Sequence, residues 1–182
     1  MNGNELITSI ERGIYYTAER LLLGSFENLT GMRLGMKNLK RVKLVPFGSG
    51  LDEYIMQTEK RLAREFGLEV EVIGRRSVPR ELVEWGSHVF VPYAARFLLK
   101  EVGRAENSAI LGVTGYQLSI LPPLWSIRQL YRIHAILGIS MPYYGVILVT
   151  TLNDTLPTKS LVETSMHEIG HLMGKHGYPL WK

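Results

Sequence analysis

Hydrophobic and polar positions divide the chain into stretches of different period. Residues 4–23 place Leu6, Ile10, Ile14, Ala18 and Leu21 at helical spacing, which predicts an amphipathic helix. Over residues 24–38 no period is sustained, and Gly24, Gly31 and Gly35 mark a linker. The expected organisation is therefore an N-terminal helix and linker over 1–39 and a compact domain over 40–182.

Residues 41–47 (RVKLVPF) open with alternating basic and apolar positions and run into Gly48-Ser49-Gly50, a strand ending in a tight loop. Asp52 stands where it can cap a following helix. The inward face of that helix includes Tyr54, Ile55, Thr58, Leu62 and Phe66, and Gly67 ends it. Residues 68–73 (LEVEVI) alternate cleanly, as a half-buried strand does. Strand, helix and strand in such short order predict a βαβ unit and a parallel pair. Pro79 and Pro92 mark loops, with Leu82, Val83 and Trp85 covering a sheet edge. Residues 93–102 read as a helix, and 109–114 (AILGVT) as an apolar strand at the sheet centre. Residues 125–137 fit either helix or irregular cover, whereas 144–151 (YGVILVTT) form a strong strand. The class predicted is α/β (α+β).

The chemistry gathers in the last stretch. His167-Glu168-Ile169-Gly170-His171 places two histidines four apart, one above the other on a helix face. Two imidazole nitrogens so placed can reach one metal ion at roughly 2.0–2.1 Å each. Glu168 stands about 100° around the helix, outside the ligand set but beside it, as a general base requires. Ser160 with Glu163 reads as a capping box behind Pro157, and Gly174 supplies the left-handed residue that ends a helix. Gly170 inside the helix implies close packing at that turn. The plainer alternative is a solvated helix whose histidines merely share a face.

The long metal-binding pattern HExxHxxGxxH meets its glycine at Gly174 but has Gly177 where the third histidine belongs. His176 stands one residue early. Either the turn is one residue shorter and His176 completes the set, or the third position is empty.

Composition narrows the choices. The 182 residues are 46% hydrophobic and 21% charged, as in an ordinary globular domain. The complete absence of cysteine excludes disulfides, thiolate catalysis and any Cys-ligated zinc. Net charge is only +4, and the basic run Arg33, Lys37, Lys40, Arg41 and Lys43 lacks interleaved aromatics. A solvated surface, rather than a nucleic-acid or acidic-partner patch, is expected there. No stretch reaches the roughly 18 apolar residues of a membrane span. Charged Glu5, Glu11, Arg12, Glu19 and Arg20 interrupt the N-terminal apolar residues, unlike a signal peptide, so a cytoplasmic protein is expected.

The segments VKLVPFG (42–48), FGLEVEV (66–72), ILGVTGYQL (110–118) and above all HEIGHLMGKH (167–176) resemble the archaemetzincins, zinc metallopeptidases of the metzincin group. The resemblance implies a zincin-like single domain with a twisted mixed β-sheet, an antiparallel edge strand and an HExxH active-site helix. It implies one catalytic zinc held by His167, His171 and His176, with Glu168 as general base. Family members normally continue into a Met-turn and a cysteine-rich stretch holding a structural zinc. Residues 177–182 carry neither feature, so no Cys-ligated structural zinc is expected.

The expected function is metal-assisted hydrolysis of a peptide or protein substrate. The strand over 145–151 is expected to be the sheet edge on which an extended peptide lies. Tyr178 is either an oxyanion donor or, as a plainer reading, an aromatic plug, and His88 and His134 read as structural. The alternative function is a catalytically degenerate zinc- or peptide-binding protein of the same fold. A further rival, the HExxH peptidases that cut transcriptional repressors, would draw an acidic ligand such as Glu163 or Asp154. Neither the substrate sequence nor the oligomeric state follows from the residues.

Overall fold

The central strands are those with the longest apolar runs, and they order the rest of the molecule. The computed structural model describes residues 36, 38–47, 51–84, 88–119, 138–142, 144–151 and 158–175. All of these belong to the unit Gly35–Lys182. The helix expected in residues 4–23 lies outside the described residues, as do Trp85, residues 125–137, His134, Asp154, Pro157, His176 and Tyr178.

The elements in chain order are β1 (Arg41–Phe47), α1 (Asp52–Phe66), β2 (Glu69–Val72), a 3-10 turn (Arg80–Leu82), β3 (Val83–Glu84) and β4 (His88–Phe90). There follow α2 (Val91–Val102), β5 (Ser108–Thr114), β6 (Gln117–Ser119), β7 (Gly138–Met141), β8 (Val146–Thr150) and α3 (Thr158–Leu172). The main sheet has five strands in the order β2-β1-β5-β8-β7. All neighbours are parallel except β7, which runs antiparallel to β8 with Gly138 opposite Val149 and Met141 opposite Val146. The expected parallel βαβ unit is β1-α1-β2, with Val42 beside Val70. Parallel strands covered on both faces bury every residue, and all seven residues of β5 are buried.

Period-2 alternation separates two cores. Val42, Leu44, Ala109, Leu111, Val113, Ile147 and Val149 face α1 and α3. Val45, Phe47, Ile110, Val146 and Leu148 face α2 and the residues of β4 and β6. No described helix is long and apolar enough to cross a membrane.

Several expectations are corrected. Strand β8 is not an edge: it is hydrogen-bonded to β5 on one side and β7 on the other. Its five buried residues suit an interior strand, whereas β7, half-buried over Ile139, Ser140 and Met141, takes the edge. Val83 does not simply cover an edge; β3 joins β4 and β6 in a second, three-stranded sheet. Strand β2 is more exposed than its alternation predicts, with only Val70 packed on the core. Asp52 lies within the first turn of α1 rather than capping it, and Leu51 is the N-cap.

The basic run is partly absorbed by local structure. Arg41 pairs with Glu69 at 2.9 Å. Lys43 donates to the carbonyls of Val102 and Gly103 at 3.2 and 3.1 Å, satisfying orphan acceptors at the end of α2. The chain entering β1 is already part of the domain: Leu39 is buried in the core, and the Met36 N–H donates to the Leu172 carbonyl.

Candidate metal centre

Helix α3 carries the HExxH residues, and two kinds of contact fix it. Val162, Met166, Ile169 and Leu172 recur at helical spacing and enter the core shared with α1. A buried hydrogen bond joins the hydroxyls of Tyr54 on α1 and Ser165 on α3. Burial pushes the Tyr54 hydroxyl up to about 12, against bonds with Ser165 and Thr58 that pull it down. The helix begins at Thr158, so Ser160 lies inside it and is not the cap that the Ser160–Glu163 pair predicts. Glu163 instead comes within 3.9 Å of Arg61 on α1.

The far end of α3 is closed as expected. Gly174 has φ of +72°, its N–H donates to the His171 carbonyl at 2.9 Å, and the Lys175 N–H donates to Gly170 at 2.8 Å. These two bonds are the Schellman pattern, which turns the chain sharply just after the second histidine. Gly170 is itself buried.

The two histidines converge. Their Nε2 atoms are 2.7 Å apart, and their rings meet edge to face at 4.2 Å between centroids. The solvated-helix alternative does not describe this helix, because His167, Glu168 and His171 are 7%, 3% and 9% exposed. Burying three ionisable groups on two turns is costly unless they serve one another or a shared ligand.

Two imidazole nitrogens brought together on one helix face are the kind of donor pair that zinc takes. Among the described residues no group of three or more His, Cys, Asp or Glu side chains converges on one point. His176, the expected third ligand, follows immediately after the described Lys175. His88, on β4, belongs to the second sheet.

One contact went unread in the sequence. Gly138 opens β7 directly against α3. A Cβ there would lie 2.9 Å from Thr164 Cγ2, 3.0 Å from Glu168 Cγ and 3.4 Å from Glu168 Oε1. The available signal was a single glycine at the start of a short strand, a mark of close backbone approach. The Tyr54–Ser165 bond left no sequence signal beyond a tyrosine on the inward face of α1.

No family model matches the chain, and no curated protein matches it. Solved structures do. An archaemetzincin from Archaeoglobus fulgidus, complexed with malonate, aligns over 74% of this chain and 78% of its own at TM-score 0.55 and 16% identity. An archaemetzincin from Methanopyrus kandleri aligns over 75% and 74% at TM-score 0.49 and 22% identity. A zinc-dependent peptidase from Methanocorpusculum labreanum aligns over 71% and 80% at 0.48 and 18%. The mixed sheet with its antiparallel edge strand and the match to the Archaeoglobus fulgidus protein give this chain the fold of the archaemetzincins.

Proposed function

We propose that the chain is a zinc-dependent metallopeptidase. The observation that carries this reading is the pair of buried Nε2 atoms 2.7 Å apart, beside the equally buried Glu168. His167 and His171 would hold the metal through Nε2, with His176 as the third ligand. Bound there, zinc supplies a Lewis acid that polarises the scissile carbonyl and acidifies an attacking water.

The remaining work falls to the protein's own groups. Glu168 accepts the proton of the attacking water and returns it to the leaving amine. Its burial keeps bulk water from competing for that carboxylate. Strand β7 offers an extended peptide a strand edge: it is the last strand of the sheet among the described residues. It is also the strand in contact with Glu168, so substrate and base meet at one place.

Metal analysis combined with a peptide-library assay of the native protein and Glu168→Gln tests the reading. About one zinc per chain and cleavage by the native protein alone are the expected results. Equal turnover by both proteins, or none by either, rejects peptidase activity. A zinc-loaded protein that binds peptides without cutting them would establish the non-catalytic alternative.

A further inference from the structure

We propose that Gly138 is a positioning residue for Glu168, and that its missing side chain sets where the carboxylate stands relative to the edge strand. This inference rests on the reading of Glu168 as general base. Thr164 and Glu168 are four apart on α3 and so share one face of the helix. That face meets β7 at Gly138, where a methyl group would lie 2.9 Å from Thr164 Cγ2 and 3.0 Å from Glu168 Cγ.

Contacts that close force a neighbour to move, and the neighbours have little room to yield. Thr164 is 5% exposed and Glu168 3%, and Gly138 is held opposite Val149 by the β7–β8 pairing. Thr164 is β-branched and stiff about χ1, so the glutamate stem is the softer of the two. A small shift at Thr164 relieves the first contact, and the second displaces the glutamate stem, which carries the carboxylate with it. The histidine pair, by contrast, has no atom among the three nearest that a Cβ at Gly138 would meet. The nearest atoms to Gly138 thus belong to the base and to Thr164, not to the proposed ligands.

A second consequence concerns substrate register. The backbone that abuts Glu168 is the same backbone that would pair with an extended peptide. The base is therefore gauged against the strand that holds the scissile bond, not against the metal ligands only. The contact moves the stem by a few tenths of an ångström, and about 1 Å of misplacement at a reacting group costs about 100-fold in rate, so a smaller loss is expected here.

The test compares the native protein with Gly138→Ala and with Gly138→Ala/Thr164→Ser. The double variant removes Thr164 Cγ2 and leaves the contact with Glu168, so it serves where the single variant fails to fold. In zinc-loaded protein, kcat should fall by about 3- to 10-fold with KM within about 2-fold. Zinc stoichiometry should stay at the native value. In metal-free protein carrying carboxyl-13C glutamate, the signal that Glu168→Gln removes should shift in the glycine variants. That readout does not need a peptidase, so it survives failure of the proposed function. An unshifted Glu168 signal overturns the inference, as does a fall in kcat accompanied by loss of zinc.

Discussion

Helices α1 and α3 have the same length, fifteen residues, and pack side by side on the same face of the main sheet. They are held there in different ways. Helix α1 buries Tyr54, Ile55, Thr58 and Leu62 and turns a charged surface outward, including Glu53, Lys60 and Arg64. Helix α3 is buried almost without interruption from Val162 to Leu172, and its buried set includes Thr164, Ser165, His167, Glu168 and His171. An amphipathic helix needs only one apolar partner surface. A helix with polar groups buried on several sides needs neighbours that satisfy them. The difference teaches that α1 is scaffold, whereas α3 buries the polar groups of the proposed site at a cost in stability that the core around it offsets.

Removing a proposed ligand from α3 should have the largest effect. His171→Ala is expected to lose zinc and all peptide cleavage, measured by metal analysis and a fluorogenic peptide assay. Glu168→Gln should come next: zinc retained, with cleavage lowered by about 10²- to 10⁴-fold, the range for a general base. Both outcomes would place the metal-binding pair and the base on α3. Cleavage at the native rate by Glu168→Gln would undo the contrast between the helices.

The scaffold should respond in stability rather than in chemistry. Leu62 is fully buried under α1, so Leu62→Ala should cost about 2–5 kcal/mol in denaturant unfolding. Its zinc content per folded molecule should equal the native value.

Tyr54→Phe sharpens the comparison because the bond it breaks joins the two helices. At neutral pH it should cost about 1 kcal/mol, leaving the Ser165 hydroxyl buried. The pH dependence has a definite sign. Folding raises the Tyr54 hydroxyl from 10.0 to about 12, so the unfolded chain ionises first. The stability it contributes is complete below pH 10 and declines as pH rises toward 12. The native protein should therefore lose stability faster than Tyr54→Phe across that window, read by chemical unfolding at fixed pH steps. The smallest effect belongs to the outer face of α1. Glu53, which accepts from Gln57 at 3.0 Å on the surface, should tolerate Ala within about 0.5 kcal/mol.

Much of α1 and the central strands was legible because their signals are local. The spacing of Tyr54, Ile55, Thr58 and Leu62 marks a seam, Gly67 ends the helix with φ of +65°, and the unbroken apolar run of β5 announces a covered strand. The expectations that failed involved partners far along the chain. Residues 144–151 read as a strong strand, but whether that strand is an edge depends on β7 pairing beside it. The alternation of 68–73 looks half-buried, yet β2 is the outermost strand on its side among the described residues and exposes Val72 at 45%. Ser160 and Glu163 have capping-box spacing, but the helix starts at Thr158, and the ends of helices are where local signals are weakest.

The candidate site divides the same way. Spacing alone determined that His167 and His171 would share a helix face with Glu168 beside them, since a 3.6-residue period leaves no other arrangement. It likewise determined the turn at Gly174, because few residues other than glycine adopt that backbone without cost. Only the tertiary structure decided that these three groups would be buried, that β7 and not β8 would form the edge, and that a bare backbone at Gly138 would lie against the carboxylate. Helical geometry is set by bonds between residues four apart, whereas burial and strand order are set by segments that meet only once the chain has folded.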